Sequence, residues 1–294
     1  MDIETLKAFT AVADQGSFSL AAERLFLTQP AVSKRISALE TELGASLFDR
    51  IGRRIVLTEA GRTLLPKARH ILDEIDESRR IIANLSQQVV GPLRLATSHH
   101  IGLHRLPPVL HDYSRRYPLV DLDIQFMDSE AGCQAVATGN IELAVVTLPN
   151  PPLDNLAHTP VWEDNLRTVV ATDHPLTTDS GKLTLEKLAA MPAILPEPGT
   201  FTRRIIDKPF QELGLSLNIN LETNYLETIR MMVSVGLGWS VLPSTMLSND
   251  LTILEIPVLE LTRELGIVTH KSRTLSRAAQ AFESTLLETR DHSQ

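Results

Sequence analysis

Ser17-Phe18-Ser19-Leu20-Ala21-Ala22-Glu23-Arg24-Leu25, a break at Phe26-Leu27, then Thr28-Gln29-Pro30-Ala31-Val32-Ser33-Lys34: this stretch decides how the chain is read. Ser17 is a good N-cap for a helix carrying Leu20, Ala21, Ala22 and Leu25, because its hydroxyl can accept from the free amides of the first turn. Pro30 suits the first turn of the next helix, where its missing N–H is no loss. In that second helix Val32, Ile36, Leu39 and Leu43 recur at helical spacing and make one apolar stripe. Pro30, Ser33, Lys34 and Ser37 then point away from the stripe. Two short helices with a tight turn, the second showing small polar and basic side chains outward, form the pattern of a helix-turn-helix reader. The outward residues must be small or flexible because the major groove admits a helix closely.

Working outward, Leu47-Phe48-Asp49-Arg50, a turn at Ile51-Gly52-Arg53-Arg54 and Ile55-Val56-Leu57 read as a two-stranded wing with paired arginines at its tip. The segment 24–62 holds seven basic and four acidic side chains, a surplus of three positive charges. The 294-residue chain as a whole has 28 Lys and Arg against 36 Asp and Glu, a net −8. That balance excludes a uniformly basic nucleic-acid coat and leaves room for a local basic patch. Phosphate contacts need such a patch, since backbone neutralisation supplies much of the affinity for DNA. An ordinary helical domain with solvated charges is the alternative that the pattern leaves open.

The same residues resemble the LysR-type transcriptional regulators. The resemblance lies in Ser17 to Leu25, Thr28 to Ser33, Leu39-Glu40, Leu43-Gly44, Leu47-Phe48-Asp49-Arg50 and Leu57-Thr58-Glu59-Ala60-Gly61, in order and spacing over about the first 65 residues. It implies that Gln29, Pro30, Ser33 and Lys34, with Thr28 and Arg35 beside them, meet base edges or adjacent phosphates, and that Arg53 and Arg54 act at the wing. Lys34 departs from the Arg or Gln that relatives often carry, which leaves the base preference there open. Double-stranded promoter DNA, a small-molecule effector and RNA polymerase are the partners that the family implies.

Thr58 caps a further helix, with Glu59 favouring its positive end and Pro66 expected to bend it. Leu64, Ala68, Ile71, Ile75, Ser78, Ile82 and Leu85 are spaced alternately four and three apart, a heptad seam with one polar position. A single helix with such a seam needs a partner, and a second copy is the simplest one. A homodimer or homotetramer is therefore expected; the alternative is a helix lying on its own effector domain.

After Gly91-Pro92, apolar strands alternate with helices to the end, the signature of an α/β sheet. Strands are expected at Leu93–Ala96, Asp121–Phe126, Ile141–Val146, Leu166–Thr172, Leu217–Thr223 and Glu264–His270, and helices over 103–116, 129–138 and 225–235. The expected organisation is a winged helix-turn-helix over 1–58, a linker helix over 59–89 and an effector domain over 90–294. By resemblance the last is two α/β lobes similar to periplasmic binding proteins, one at about 90–161 with 267–294 and the other at about 162–266. The resemblance places Ser98, His99, His100, Thr147, Phe201, Thr202 and Trp239 in the cleft between them; otherwise Ser98 and Thr202 cap helices and Trp239 is core. Hydroxyls and histidines at helix N-termini favour a small anion such as a carboxylate metabolite.

Other classes fit less well. His100 and His104 stand one helical turn apart with His111 a heptad later, but no HExxH, CxxC or nearby carboxylate pair completes a metal site, and surface histidines explain them. No nucleophile elbow, P-loop or dinucleotide fingerprint follows a strand, so neither an enzyme nor a cofactor is expected. The acidic start Met1-Asp2-Ile3-Glu4 is unlike a signal peptide and no apolar run approaches a bilayer's width, which points to the cytoplasm and away from a membrane or an exported binding protein. Cys133, flanked by alanines, reads as a buried small hydrophobe.

Overall fold

The computed structural model describes residues 1–51, 54–83, 88–177, 183–256, 259 and 261–290. The chain forms two compact units, Met1–Ser86 and Gln87–Gln294.

In the first unit α1 (Ile3–Gln15), α2 (Phe18–Arg24) and α3 (Gln29–Leu43) precede a hairpin of β1 (Phe48–Ile51) and β2 (Arg54–Leu57), and α4 (Glu59–Ala83) follows. Each boundary has a local cause. Asp2 Oδ1 accepts from Thr5 N at 2.7 Å, and Ser17 and Thr28 cap α2 and α3 in the same way. Gly16 and Gly44 end α1 and α3 at φ of +58° and +65°, conformations that glycine adopts without strain. Glu40 of α3 accepts from Leu47 N at 2.7 Å and from Phe48 N, which fixes where the wing starts. Val32, Ile36 and Leu39 are buried with Phe9, Val12, Ala21 and Leu47, as the stripe requires. Leu43 is an exception: at 44% exposed it lies beyond the core, because Gly44 ends the helix one residue on.

Thr58 caps α4 as expected, accepting from Gly61 N at 3.0 Å and donating to Ser46 O at 2.7 Å. Gly61 is a steric necessity, since a Cβ there would collide with Leu47 O. Pro66 sits inside α4 without ending it. Ala68 overturns part of the expected seam. It is fully buried in the unit's own core with Leu64, Leu65 and Leu72 packed around it, because this turn of α4 packs on α1. Ile71, Ser78 and Ile82 are exposed and Ile75 half-buried; Leu85 lies outside the described residues.

The second unit is built on β3 (Gly91–Thr97), β4 (Val120–Phe126), β5 (Leu143–Thr147), β6 (Leu156–Ala171), β7 (Ala193–Leu195), β8 (Ile219–Glu222), β9 (Ser240–Pro243), β10 (Leu251–Ile253) and β11 (Leu261–His270). One mixed sheet runs in the order β10-β6-β11-β5-β3-β4, with β9 also pairing β6. β3 is parallel to β4 and β5, whereas β11 runs antiparallel to both β5 and β6. A short parallel pair, β7 and β8, is bridged to Trp239 before β9. Around the strands lie α5 (His99–His104), α6 (Leu106–Arg116), α7 (Ser129–Ala137), α8 (Leu185–Ala190), α9 (Phe201–Glu212), α10 (Leu226–Ser234) and α11 (Arg277–Arg290).

Two expectations change. The helix expected from about 103 begins at His99 and is broken at Arg105, two residues before Pro107-Pro108. The strand expected from Leu166 is the second half of β6, whose first half pairs with β11 from Leu156 onward. The β6–β11 register slips by one residue at Leu265/Gly266, opposite Val161. Gly266 permits this crossing, since a Cβ would run into Thr159 O. Val161, Leu265 and Ile267 belong to a core with Leu93, Leu95, Tyr113 and Phe282. Leu166 and Val170 belong to another with Ile206, Phe210 and Trp239. Among the described residues no helix is long and apolar enough to cross a membrane.

Candidate functional site

Two places among the described residues hold the polar groups that the sequence singles out. The first is the outer face of α3. Thr28, Gln29, Pro30 and Lys34 are exposed and Ser33 is half-buried, while Val32 and Ile36 between them are sealed in the core. Burying the apolar stripe therefore aims the polar one outward. Thr28 spends its hydroxyl on the amide of Ala31 at 3.4 Å. Arg35, half-buried beside the stripe, reaches back to α1, with Nη1 donating to Glu4 Oε2 at 3.3 Å. Arg53 and the side chain of Arg54 lie outside the described residues. The exposure of Phe26, in the break between α2 and α3, is not signalled by the sequence. The tight turn, closed by Leu27 N donating to Ala22 O at 2.9 Å, forces it to φ +55° and leaves its ring 96% exposed just before α3. An aromatic residue ordinarily signals core, so no sequence signal marks this one.

The second place is a pocket in the Gln87–Gln294 unit, at the ends of β3 and β5 and the starts of α5, α7 and α9. Ser98, His99, His100, Thr147, Phe201 and Thr202 all line it, joined by Asp128, Ser129, Glu130, Thr200, Asn224 and Arg263. Trp239 does not line it: fully buried, it packs in the core with Phe210 and donates from Nε1 to Met191 O at 3.2 Å. Its neighbours Gly236 and Gly238 suggest a loop, but its apolar surface outweighs them. The alternative reading, that these two hydroxyls cap helices, does not hold. Ser98 precedes α5 without a side-chain capping bond, and Thr200, not Thr202, caps α9 by accepting from Arg203 N at 3.2 Å. The Ser98 hydroxyl is thus not spent on the helix.

Thr202 is tied up differently. Arg263 Nη1 donates to Thr202 Oγ1 at 2.8 Å, while Nε donates to Asp164 Oδ2 at 2.8 Å. Arg105 Nη2 reaches the other Asp164 oxygen at 3.3 Å. Asp164 and Arg263 are both buried, so the pair is held by geometry and mutual charge in a low-dielectric place. Sequence reading missed it, although a charge inside an apolar strand such as Leu261-Thr262-Arg263-Glu264-Leu265 is itself a signal that a partner waits across the sheet. Asp128 and Glu130 add carboxyl groups to the lining. Glu130 accepts from Phe201 N, and burial raises its pKa above the usual carboxylate range.

His100 is not the surface histidine expected. It is 4% exposed, neither ring nitrogen has a hydrogen-bond partner, and burial, reinforced by Arg263, pushes its pKa down to about 3. The ring is neutral near pH 7 and adds no positive charge to the pocket. Its contribution there is a lone pair and not a cation. Among the described residues, His100, His104 and Glu227 are the one group able to hold a metal ion. Cys133 is buried as expected, its thiol raised to about 12 by burial and then by Glu130.

Residues 3–62 match the family described as "Bacterial regulatory helix-turn-helix protein, lysR family", and residues 86–291 match the "LysR substrate binding domain". The chain is 33% identical over 286 residues to the HTH-type transcriptional activator CmpR of Synechocystis, covering 95% of this chain and 93% of that protein. An uncharacterized HTH-type transcriptional regulator in the ibpB-leuC intergenic region of Azotobacter vinelandii is 64% identical over 108 residues, 37% of this chain and 75% of that one. In fold, a full-length OxyR variant from Pseudomonas aeruginosa aligns with a TM-score of 0.69 at 24% identity, covering 97% and 94% of the two chains. CbnR in complex with its target DNA aligns with a TM-score of 0.65 at 21% identity, covering 98% and 100%. Both halves of the chain, and nearly the whole length of CmpR, agree: the protein belongs to the LysR family, a DNA-binding transcriptional regulator with an effector domain and not an enzyme.

Proposed function

We propose that α3 reads promoter DNA with Gln29, Pro30, Ser33 and Lys34, and that the pocket around Ser98 and Thr202 binds the small molecule that controls it. The observation that carries the first part is the alternation along α3, buried at 32 and 36 and open at 29, 30 and 34. A rigid helix whose free face holds only small or flexible side chains fits the major groove. The organisation we infer is a reader over 1–58, a linker over 59–89 and an effector domain whose two lobes divide near 161 and 266. The register slip opposite Val161 supports that division. The exposed part of the α4 seam, from Ile71 to Ile82, supports pairing with a second copy, in a homodimer or homotetramer. RNA polymerase is a further partner by analogy with the family.

The effector is a small metabolite carrying a carboxylate. The hydroxyl of Ser98, unspent on its helix, supports this choice, whereas Arg263 at the same pocket is already neutralised by Asp164. The ligand shifts transcription only through unequal affinity for two arrangements of the assembly.

Because the Azotobacter vinelandii relative lies between ibpB and leuC, DNA flanking this gene is the first duplex to try. Band shifts at several salt concentrations should show retardation over a scrambled duplex. Lys34→Ala should cost roughly 1–3 kcal/mol of specific binding and relax preference at one base pair. Equal loss on all sequences would make Lys34 a phosphate contact and overturn its reading role. Calorimetry with a carboxylate panel should give binding that Ser98→Ala weakens. A neutral or cationic metabolite binding where no carboxylate does would overturn the ligand class.

A further inference from the structure

His100 and His104 lie one turn apart on α5, and the fold brings to them the carboxylate that the local sequence lacks. Glu227, on α10, places Oε1 3.1 Å from His104 Nε2 and 4.0 Å from His100 Nδ1. The two imidazole rings are 4.9 Å apart, and one donor atom from each of the three residues lies within 4.8 Å of the others. His100 is independently anomalous, being buried with both nitrogens unpaired. Burying a polar ring without partners costs stability unless something meets it there.

We propose that His100, His104 and Glu227 form a site for a late first-row divalent cation, Zn2+ above all. Tetrahedral Zn2+ with bonds of about 2.0–2.2 Å sets its donors about 3.3–3.6 Å apart; the spacings of 3.1 and 4.0 Å bracket that range, and the third, within 4.8 Å, closes on the ion. Two imidazoles and one carboxylate are a borderline donor set that favours Zn2+, Ni2+ or Cu2+ over Mg2+ or Ca2+. His104 need only take the tautomer protonated at Nδ1, which frees Nε2 for the ion. The His104 and Glu227 side chains, each 35% exposed, leave an approach from solvent and room for a water in the fourth position. Of the charges facing His100 besides His104, Arg105 and Arg263 oppose a cation and Asp164 attracts it, so the ligand Glu227 supplies the negative charge that offsets the second arginine.

The placement gives the ion something to do. Ile101 anchors α5 in the core containing Leu93 and Tyr113, while Leu226, Ile229 and Val233 anchor α10 in a different one. His100 and Leu226 also line the effector pocket. A bound ion would tie these two elements together at the rim of that pocket and act as a second input. The site does not depend on the effector's identity, because it is tested with the metal alone.

The experiment is Zn2+ titration of chelator-stripped full-length protein against a chromophoric competitor, with thermal unfolding alongside. One ion per chain and a raised Tm are expected. His104→Ala and Glu227→Gln, both at partly exposed positions, should each weaken binding at least tenfold, and His111→Gln should leave it unchanged. X-ray absorption of the loaded native protein should return two imidazoles among light-atom ligands, whether or not a variant folds. Absence of stoichiometric binding, a site indifferent to both substitutions, or a shell without imidazole would each overturn the proposal.

Discussion

Asp164 is the carboxylate on which two guanidinium groups depend, and its removal isolates the scale of a single side chain. Asp164→Asn keeps the shape but leaves Arg263 charged and buried without a counter-ion. Breaking such a pair costs roughly 3–5 kcal/mol, so we expect a large drop in Tm, where an exposed pair such as Arg24–Asp14 would cost under about 1 kcal/mol. Cys133 gives the opposite kind of prediction, an absence of chemistry. With its thiol pushed up to about 12, the native protein at pH 8 should react with iodoacetamide about a thousandfold more slowly than the unfolded chain. Fast alkylation of folded protein would show the cysteine exposed. Legibility at this scale follows sequence distance. Ser98, His99, Thr147 and Thr202 could be named because the family resemblance places them at the cleft, and at Ser98 and His99 a strand end followed by a helix start is a local pattern as well. Arg263 and Asp164 are 99 residues apart, and Glu227 is 123 from His104, separations that a local pattern does not bridge.

Along an element, equal spacing does not mean equal use. Ala68 and Ile82 fall on one heptad seam, yet the first faces α1 and the second is 67% exposed. Ala68→Leu should therefore overpack the first unit and destabilise it by about 1–3 kcal/mol. Ile82→Glu should leave stability within about 0.5 kcal/mol and shift sedimentation toward a smaller species. Similar behaviour of the two variants would contradict this division of the helix. The periodicity made α4 readable but could not say which turns the unit's own core would claim. β6 was half-hidden for another reason. Its first part, Leu156-Ala157-His158-Thr159-Pro160, lacks a clean alternation and carries a proline, and only its pairing with β11 makes it a strand. The helix-turn-helix was legible nearly to the residue, since caps, stripe and turn are all local there.

For the whole molecule, charge is the variable that sequence alone resolves. Residues 1–88 carry twelve basic and twelve acidic side chains, so the excess of −8 belongs to the remainder. An acidic protein gripping an acidic polymer must do so through its positive island. The logarithm of DNA affinity should therefore fall linearly with the logarithm of salt, with a slope of about −0.9 for each phosphate neutralised. A salt-independent affinity would show that the island is not the contact surface.

β6 and β11 bear on what kind of receptor this is. A receptor whose halves hang on slack loops can swing widely; here the same two strands continue from one core into the other. Closure around a ligand would have to be taken up as torsion of paired strands, concentrated at the one-residue misregister where Gly266 presses on Thr159. Such a joint favours small, stiff movements, and on the proposed two-lobe reading an effector would pass on a change of pitch more than a change of place.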